Sequence, residues 1–169
     1  MGDSAAVRWR LRDAADTCDF GSALARACPP PEDGPRLLFL SGELGAGKTT
    51  LAAALLRTLG VSEPVRSPSY ALIETYLIGS GQAVHVDCYR IDDAQELELL
   101  GLRDYHVPHT LWLVEWPERA AAALPSPDLW VHLIVVADER RAECTPKSAA
   151  GREWLERLIK IWPYVINKT

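Results

Sequence analysis

No stretch of the 169 residues approaches the roughly eighteen consecutive apolar side chains of a membrane-spanning helix, so none is expected. Cysteine is scarce and scattered. Cys18, Cys28, Cys88 and Cys144 show no C-x-x-C spacing, which excludes a zinc knuckle or a disulfide framework and leaves reduced thiols as the simple reading. A basic surplus is also missing: 18 Lys and Arg stand against 23 Asp and Glu, for a net charge of −5 and a pI of about 5.4. A broad surface gripping nucleic acid on its own is therefore not expected, and any RNA would be held by another protein. Met1-Gly2-Asp3-Ser4 lacks a basic region followed by an apolar one, and position 6 lacks the hydroxyl of a myristoylation signal. The expectation is a cytoplasmic protein without a membrane.

What is present is a phosphate loop. Gly42-Glu43-Leu44-Gly45-Ala46-Gly47-Lys48-Thr49 fits G-x-x-x-x-G-K-[ST] without a mismatch. Before it, Arg36-Leu37-Leu38-Phe39-Leu40 reads as a strand buried on both faces. After it, Leu51, Ala52, Leu55, Leu56 and Leu59 recur at helical spacing until Gly60. Three glycines let the backbone turn its N–H groups around an anion, and the helix start adds its own unpaired donors. Lys48 is placed to reach the β- and γ-phosphates, and the Thr49 hydroxyl to ligate Mg²⁺.

The rest of the chain reads as strand and helix segments without an internal repeat or a boundary, hence one domain over 1–169. Val7 to Arg12 alternates apolar and basic residues, as a half-buried edge strand would. A helix is expected over 16–27, a turn over 32–35 and a defined loop over 65–70. Strands are expected over 71–77 and 83–87 around a hairpin turn at 79–82 that is not of the tightest kind. Further along come a short helix at 94–100, an apolar strand at 111–114, a short alanine-rich helix after Pro117, a strand at 130–137, a polar segment at 138–144 and a last helix over 148–162. The fold class is α/β: a twisted, mostly parallel sheet flanked by helices, of the P-loop NTPase kind, with an antiparallel hairpin or edge strand.

A phosphate loop needs an acid for its metal, and two stand at strand ends, Asp87 and Glu115. One would hold Mg²⁺, directly or through water, and the other would orient the attacking water; residue order alone does not divide these roles. His85 shares a face with Asp87 and reads as a core histidine before a catalyst. Ser67 and Ser69 offer hydroxyls on a rigid loop that could sense the γ-phosphate. Arg90 could neutralise phosphate or pair with Asp92 or Asp93. Trp116 could wall the phosphates from water. Thr17 sits near the start of the first helix, where capping is its ordinary role.

Five blocks in order make the chain similar to the TsaE (YjeE-like) family, the small ATPases of tRNA threonylcarbamoyladenosine synthesis. They are Gly42 through Thr50, Ser67-Pro68-Ser69-Tyr70, His85-Val86-Asp87-Cys88-Tyr89-Arg90, the stretch from Glu96-Leu97 through Leu100-Gly101 to Asp104-Tyr105, and Glu115-Trp116-Pro117-Glu118. Ser69 and Tyr70 stand where the family usually has Thr and Phe, and Cys88 replaces a usual Leu. The resemblance implies a Mg²⁺-dependent ATPase that assists the TsaB–TsaD complex, which transfers threonylcarbamoyl to an adenosine beside the tRNA anticodon. By motif, Lys48 grips phosphates and Thr49 and Glu115 coordinate Mg²⁺. Asp87 and Trp116 serve hydrolysis or coupling, while Thr17 and one of Arg140 or Arg141 fall on nucleotide-contacting positions. The tail 162–169 matches nothing in the family.

These readings together point to slow ATP hydrolysis by a protein that is monomeric alone and stimulated by its partners. A small-molecule kinase would need an arginine-rich lid, for which 138–141 is too meagre. A non-hydrolysing, nucleotide-gated binding module would bind partners without turnover. No Asn-Lys-x-Asp motif reads guanine.

Overall fold

The computed structural model describes residues 6–31, 33–79 and 81–168. The expected features at Met1–Ser4, Glu32, Ser80 and Thr169 lie outside the described residues. Strand β1 (Val7–Leu11) leads to helix α1 (Ala14–Ala27), then β2 (Arg36–Gly42), α2 (Lys48–Thr58), β3 (Ile73–Ile78) and β4 (Gly81–Asp87). Next come the short α3 (Gln95–Leu99), a 3-10 turn at Leu102–Tyr105, β5 (Thr110–Glu115) and a second 3-10 turn at Pro117–Arg119. The chain closes with β6 (Leu129–Val136), β7 (Glu139–Pro146), α4 (Ala149–Ile161) and β8 (Val165–Lys168).

The eight strands of the described residues share one sheet in the order β3-β4-β5-β2-β6-β7-β1-β8. Its middle, β4-β5-β2-β6, is parallel, as expected for a loop-bearing strand flanked by neighbours. The antiparallel part is larger than a hairpin or an edge: β3 pairs antiparallel to β4 on one side, and β7, β1 and β8 extend the other side antiparallel. β1 is not at the edge, because β8 covers it. The hairpin turn is tighter than expected, since Ile78 pairs with Gly81. The polar segment 138–144 is, from Glu139 onward, part of strand β7. The alanine-rich helix after Pro117 is only a single 3-10 turn; Pro117 and Pro125 leave too few residues between them to offset helix nucleation.

β2 is buried along its apolar run because helices or turns cover both faces. Leu38 and Leu40 face the cluster under α1, α2 and α4, with Phe20, Leu51, Leu55 and Trp154. Leu37 and Phe39 face the second cluster with Val84, Val86, Trp112 and Val114, closed by Leu97 of α3 and Leu102. α4 buries Gly151, Trp154, Leu155 and Leu158, the i, i+3, i+4, i+7 stripe of an amphipathic helix, and Ser148 caps it by accepting from Gly151 N at 2.9 Å. No helix among the described residues is long and apolar enough to cross a membrane.

The cap of α1 is Asp13, whose carboxylate accepts from Asp16 N at 2.8 Å; Thr17 lies a turn further in. Asp16 itself accepts from Arg12 N, Nε and Nη2 at 2.8, 2.8 and 3.0 Å. These hydrogen bonds, first those of the guanidinium, draw the Asp16 carboxyl down from 3.8 to about 2. A lowered folded-state value means stability that is present above the unfolded pKa and lost as pH falls through the folded one. The Asp16 carboxylate is largely buried but the Arg12 side chain is 71% exposed, so solvent screens much of the pairing. Asp16→Asn is therefore expected to cost about 1 kcal/mol in denaturant melts at neutral pH, with the difference vanishing near pH 2.

Candidate functional site

Parallel pairing carries the chemistry to one end of the sheet. Asp87 is in register with Glu115, and Leu40 with Glu115, so the last residues of β4 and β5 lie beside Leu40, near the end of β2. Two hydrogen bonds continue the pairing past the strand ends: Cys88 N donates to Glu115 O at 3.0 Å, and Trp116 N donates to Leu40 O at 3.1 Å. The phosphate loop leaves β2 at this end. Gly42 has φ of 138°, and a Cβ there would sit 2.3 Å from Leu133 O of β6, so only glycine lets the loop begin against its neighbour. Gly47, with φ of 103°, is the left-handed residue that opens α2.

A cleft of about 410 Å³ lies over the loop. Leu44, Gly45, Gly47, Lys48, Thr49 and Thr50 line one side of it. Ser67, Ser69, Asp87, Tyr89, Arg90, Glu115 and Trp116 line the other. Lys48 is buried, and Nζ donates to Gly42 O at 2.7 Å and Glu43 O at 2.9 Å. It also lies 3.8 Å from the centre of the Trp116 ring. Burial lowers its pKa from 10.5, against the opposing pull of Glu115, Glu118, Asp87 and Glu43. Trp116 takes up this position from a left-handed backbone, φ 55° and ψ 46°, and its ring packs on Tyr89 with centroids 4.9 Å apart.

Glu115 is gripped at both oxygens. Oε2 accepts from the Thr49 hydroxyl at 2.8 Å, and Oε1 is 2.8 Å from His85 Nε2. Asp87 is held too: Oδ1 accepts from Tyr89 N at 2.8 Å, and Oδ2 accepts a short hydrogen bond from the Ser67 hydroxyl. Among the described residues no three His, Cys, Asp or Glu side chains gather to cage a metal by themselves. The donor set suits Mg²⁺ nonetheless, because that ion takes one or two protein oxygens and completes its shell with phosphate and water. The 2.8 Å between Thr49 Oγ1 and Glu115 Oε2 is close to the roughly 2.9 Å edge of an octahedron with ~2.0–2.1 Å metal–oxygen bonds.

Of the residues the sequence pointed to, Gly45, Gly47, Lys48, Thr49, Thr50, Ser69, Asp87, Glu115 and Trp116 line this cleft, and Leu44 stands exposed at its rim. Gly42, Glu43 and Ala46 shape the loop from behind, two of them through the carbonyls that hold Lys48. Arg140 and Arg141 separate cleanly. Arg140 Nε donates to Ala46 O at 3.2 Å and lies beside Gly47, while alternation along β7 turns Arg141 to the opposite face. Thr17 also lies beside Gly47, but with its methyl; its hydroxyl donates to Asp13 O at 3.0 Å inside α1. Arg90 stacks on the exposed Tyr70 ring at 4.3 Å. His85, which reads from the sequence as a core histidine, is buried and lies against Glu115, on the face that alternation shares with Asp87.

The model of the family described as threonylcarbamoyl adenosine biosynthesis protein TsaE matches residues 11–143. Among curated relatives, the tRNA threonylcarbamoyladenosine biosynthesis protein TsaE of Haemophilus influenzae is 38% identical over 116 residues, 69% of this chain and 73% of that one. Its Bacillus subtilis namesake is 32% identical over 135 residues, 80% of this chain and 82% of that one. The crystal structure of Bacillus subtilis YdiB superposes with a TM-score of 0.78 at 26% identity, covering 95% of this chain and 98% of that one. The match spans the phosphate loop and both acidic strand ends, and with it the chain belongs to the TsaE family of threonylcarbamoyladenosine biosynthesis.

Proposed function

We propose that this chain is a single-domain, Mg²⁺-dependent ATPase of the cytoplasm, monomeric alone. In this reading it binds the TsaB–TsaD complex and supports repeated threonylcarbamoyl transfer to the adenosine beside the tRNA anticodon. It meets tRNA only through that complex. The observation that carries the proposal is the convergence of Lys48, Thr49, Asp87 and Glu115 on one cleft of about 410 Å³ at the mouth of the loop. Family membership supplies the pathway.

The chain's own groups divide the work. A triphosphate offers Lys48 a charged acceptor in place of two neutral carbonyls, so the ammonium leaves Gly42 O and Glu43 O for phosphate oxygens. The loop N–H groups and the start of α2 hold the β-phosphate. Thr49 and Glu115 are the metal-side ligands, and Mg²⁺ when bound would neutralise charge developing on the β- and γ-phosphates. Asp87, its carboxylate fixed by Ser67 and Tyr89 N, orients the attacking water. Trp116 backs Lys48 and shields that corner from solvent, and Arg140 and Thr17 flank the loop at Gly47. Catalysis here is positioning and charge stabilisation. The segment a kinase would use as a lid is strand β7, tied into the sheet on both sides.

The test is phosphate release from ATP by the purified protein, alone and then with TsaB–TsaD and tRNA, with Glu115→Ala in parallel. Slow turnover alone, stimulated by the complex and lost in the variant, is expected. Unchanged turnover together with no co-elution of the partners would overturn the reading.

A further inference from the structure

His85 is fully buried in the middle of the sheet, on β4, where apolar residues stand on either side of it in sequence. Burying an imidazole there is costly unless the ring is hydrogen-bonded. Its Nε2 is 2.8 Å from Glu115 Oε1, and Glu115 is itself 1% exposed. A carboxylate only accepts, so the nitrogen that faces it carries the proton. The other nitrogen, Nδ1, is buried with no hydrogen-bond partner among the described residues. A bare lone pair is tolerated in such a place more readily than an N–H. Among the described residues the ring is thus oriented by a single polar contact, the one to Glu115.

That contact settles which way the carboxylate turns. With Oε1 taken by His85, Oε2 is the oxygen left beside Thr49 at the cleft. Without the donor, Oε1 would be a buried carboxylate oxygen with no partner, and the group would gain by rotating away from the geometry it shares with Thr49. We infer that His85 is a positioning residue for the metal side of the site: it holds Glu115 so that Oε2 and the Thr49 hydroxyl present a fixed pair of oxygens to the Mg²⁺ of a bound nucleotide. This rests on the reading of the cleft as a Mg²⁺–nucleotide site. His85 does not touch nucleotide or metal, and it acts through Glu115 alone.

The side chains of Gln and Asn separate positioning from mere polarity. A Gln amide nitrogen extends about as far as imidazole Nε2 and can still donate to Glu115. The Asn amide stops near the position of Nδ1 and cannot. The measurement is ADP affinity by calorimetry, once with excess EDTA and once with saturating Mg²⁺, for the wild-type protein, His85→Gln, His85→Asn and His85→Leu. The ratio of the two affinities is the metal's contribution. In the wild type Mg²⁺ is expected to tighten ADP binding. His85→Gln should keep most of that gain. His85→Asn and His85→Leu should lose it, with the Mg²⁺ concentration needed for half the effect rising about tenfold or more, while affinity in EDTA stays within about twofold.

Should His85→Leu fail to fold, the Gln and Asn pair still decides the question. Equal Mg²⁺ responses in Gln and Asn variants that both fold would overturn the positioning role and leave the nucleotide site standing. A wild-type protein that binds ADP with no Mg²⁺ effect would overturn the positioning role and the metal-dependent reading together. No ADP binding at all would overturn the nucleotide reading itself.

Discussion

Lys48→Ala is expected to weaken ATP or ADP binding by about one to two orders of magnitude while leaving the folded state within about 1–2 kcal/mol of the wild type. The two halves have different causes. Bound phosphate would receive a charge-assisted hydrogen bond from a desolvated ammonium, and interactions of that kind are worth about 1.5–3 kcal/mol each. The ligand-free fold depends on the same ammonium much less. There Nζ is held by two loop carbonyls and the Trp116 ring, and burial already disfavours its charged form. Deleting a buried cation removes its desolvation cost along with its contacts, and the two nearly offset. Calorimetric titration with ADP and a urea melt of each protein measure the two halves separately. A variant that binds ADP as well as the wild type would remove Lys48 from the site. One that binds poorly because its melt has collapsed would make Lys48 a structural residue instead.

The parts of this molecule that were legible in the sequence are those where one physical demand dominates. The phosphate loop was legible because backbone wrapped around an anion tolerates few side chains. β2 and β5 were legible because burial on both faces requires continuous apolar runs, and the acids that end β4 and β5 interrupt such runs abruptly. β7 was not legible. Its inward positions are Arg140, Ala142, Cys144 and Pro146, too small or too polar to mark a core face, and its outward positions are charged or polar. β8 is a four-residue strand whose partner, β1, lies at the far end of the chain, so no local pattern could announce it. The choice between Arg140 and Arg141 likewise depended on knowing that residue 139 begins a strand, since alternation then sends only Arg140 to the loop. Residue order alone treats Asp87 and Glu115 alike, as acids that end neighbouring strands. Their surroundings differ: Thr49 reaches Glu115, and Ser67 reaches Asp87.

Trp154→Ala is expected to be the most destabilising of the substitutions considered, by about 3–5 kcal/mol. The indole is fully buried between α4 and α1, in the cluster that carries the face of the sheet beneath α2. Truncation removes a large apolar surface and opens a cavity that the strands beneath cannot close. It also removes a polar contact. Trp154 Nε1 donates to Leu24 O at 2.9 Å, and Leu24 lies in the last turn of α1, where carbonyls have no partner further along their own helix. One side chain thus packs α4 on α1 and caps the end of α1. Against a total stability of about 5–15 kcal/mol for a domain of this kind, the loss is a large fraction of the whole. Trp154→Phe separates the two contributions, because it keeps most of the packing and leaves the Leu24 carbonyl unpaired; a loss of about 1–2 kcal/mol is expected for it. Urea melts of the three proteins measure both values. If Phe costs as much as Ala, the hydrogen bond to α1 outweighs the packing, and the helix end rather than the core is what Trp154 stabilises. If Ala costs under about 1 kcal/mol, α4 is not part of the cooperative core, and the sheet and its first two helices hold together without it.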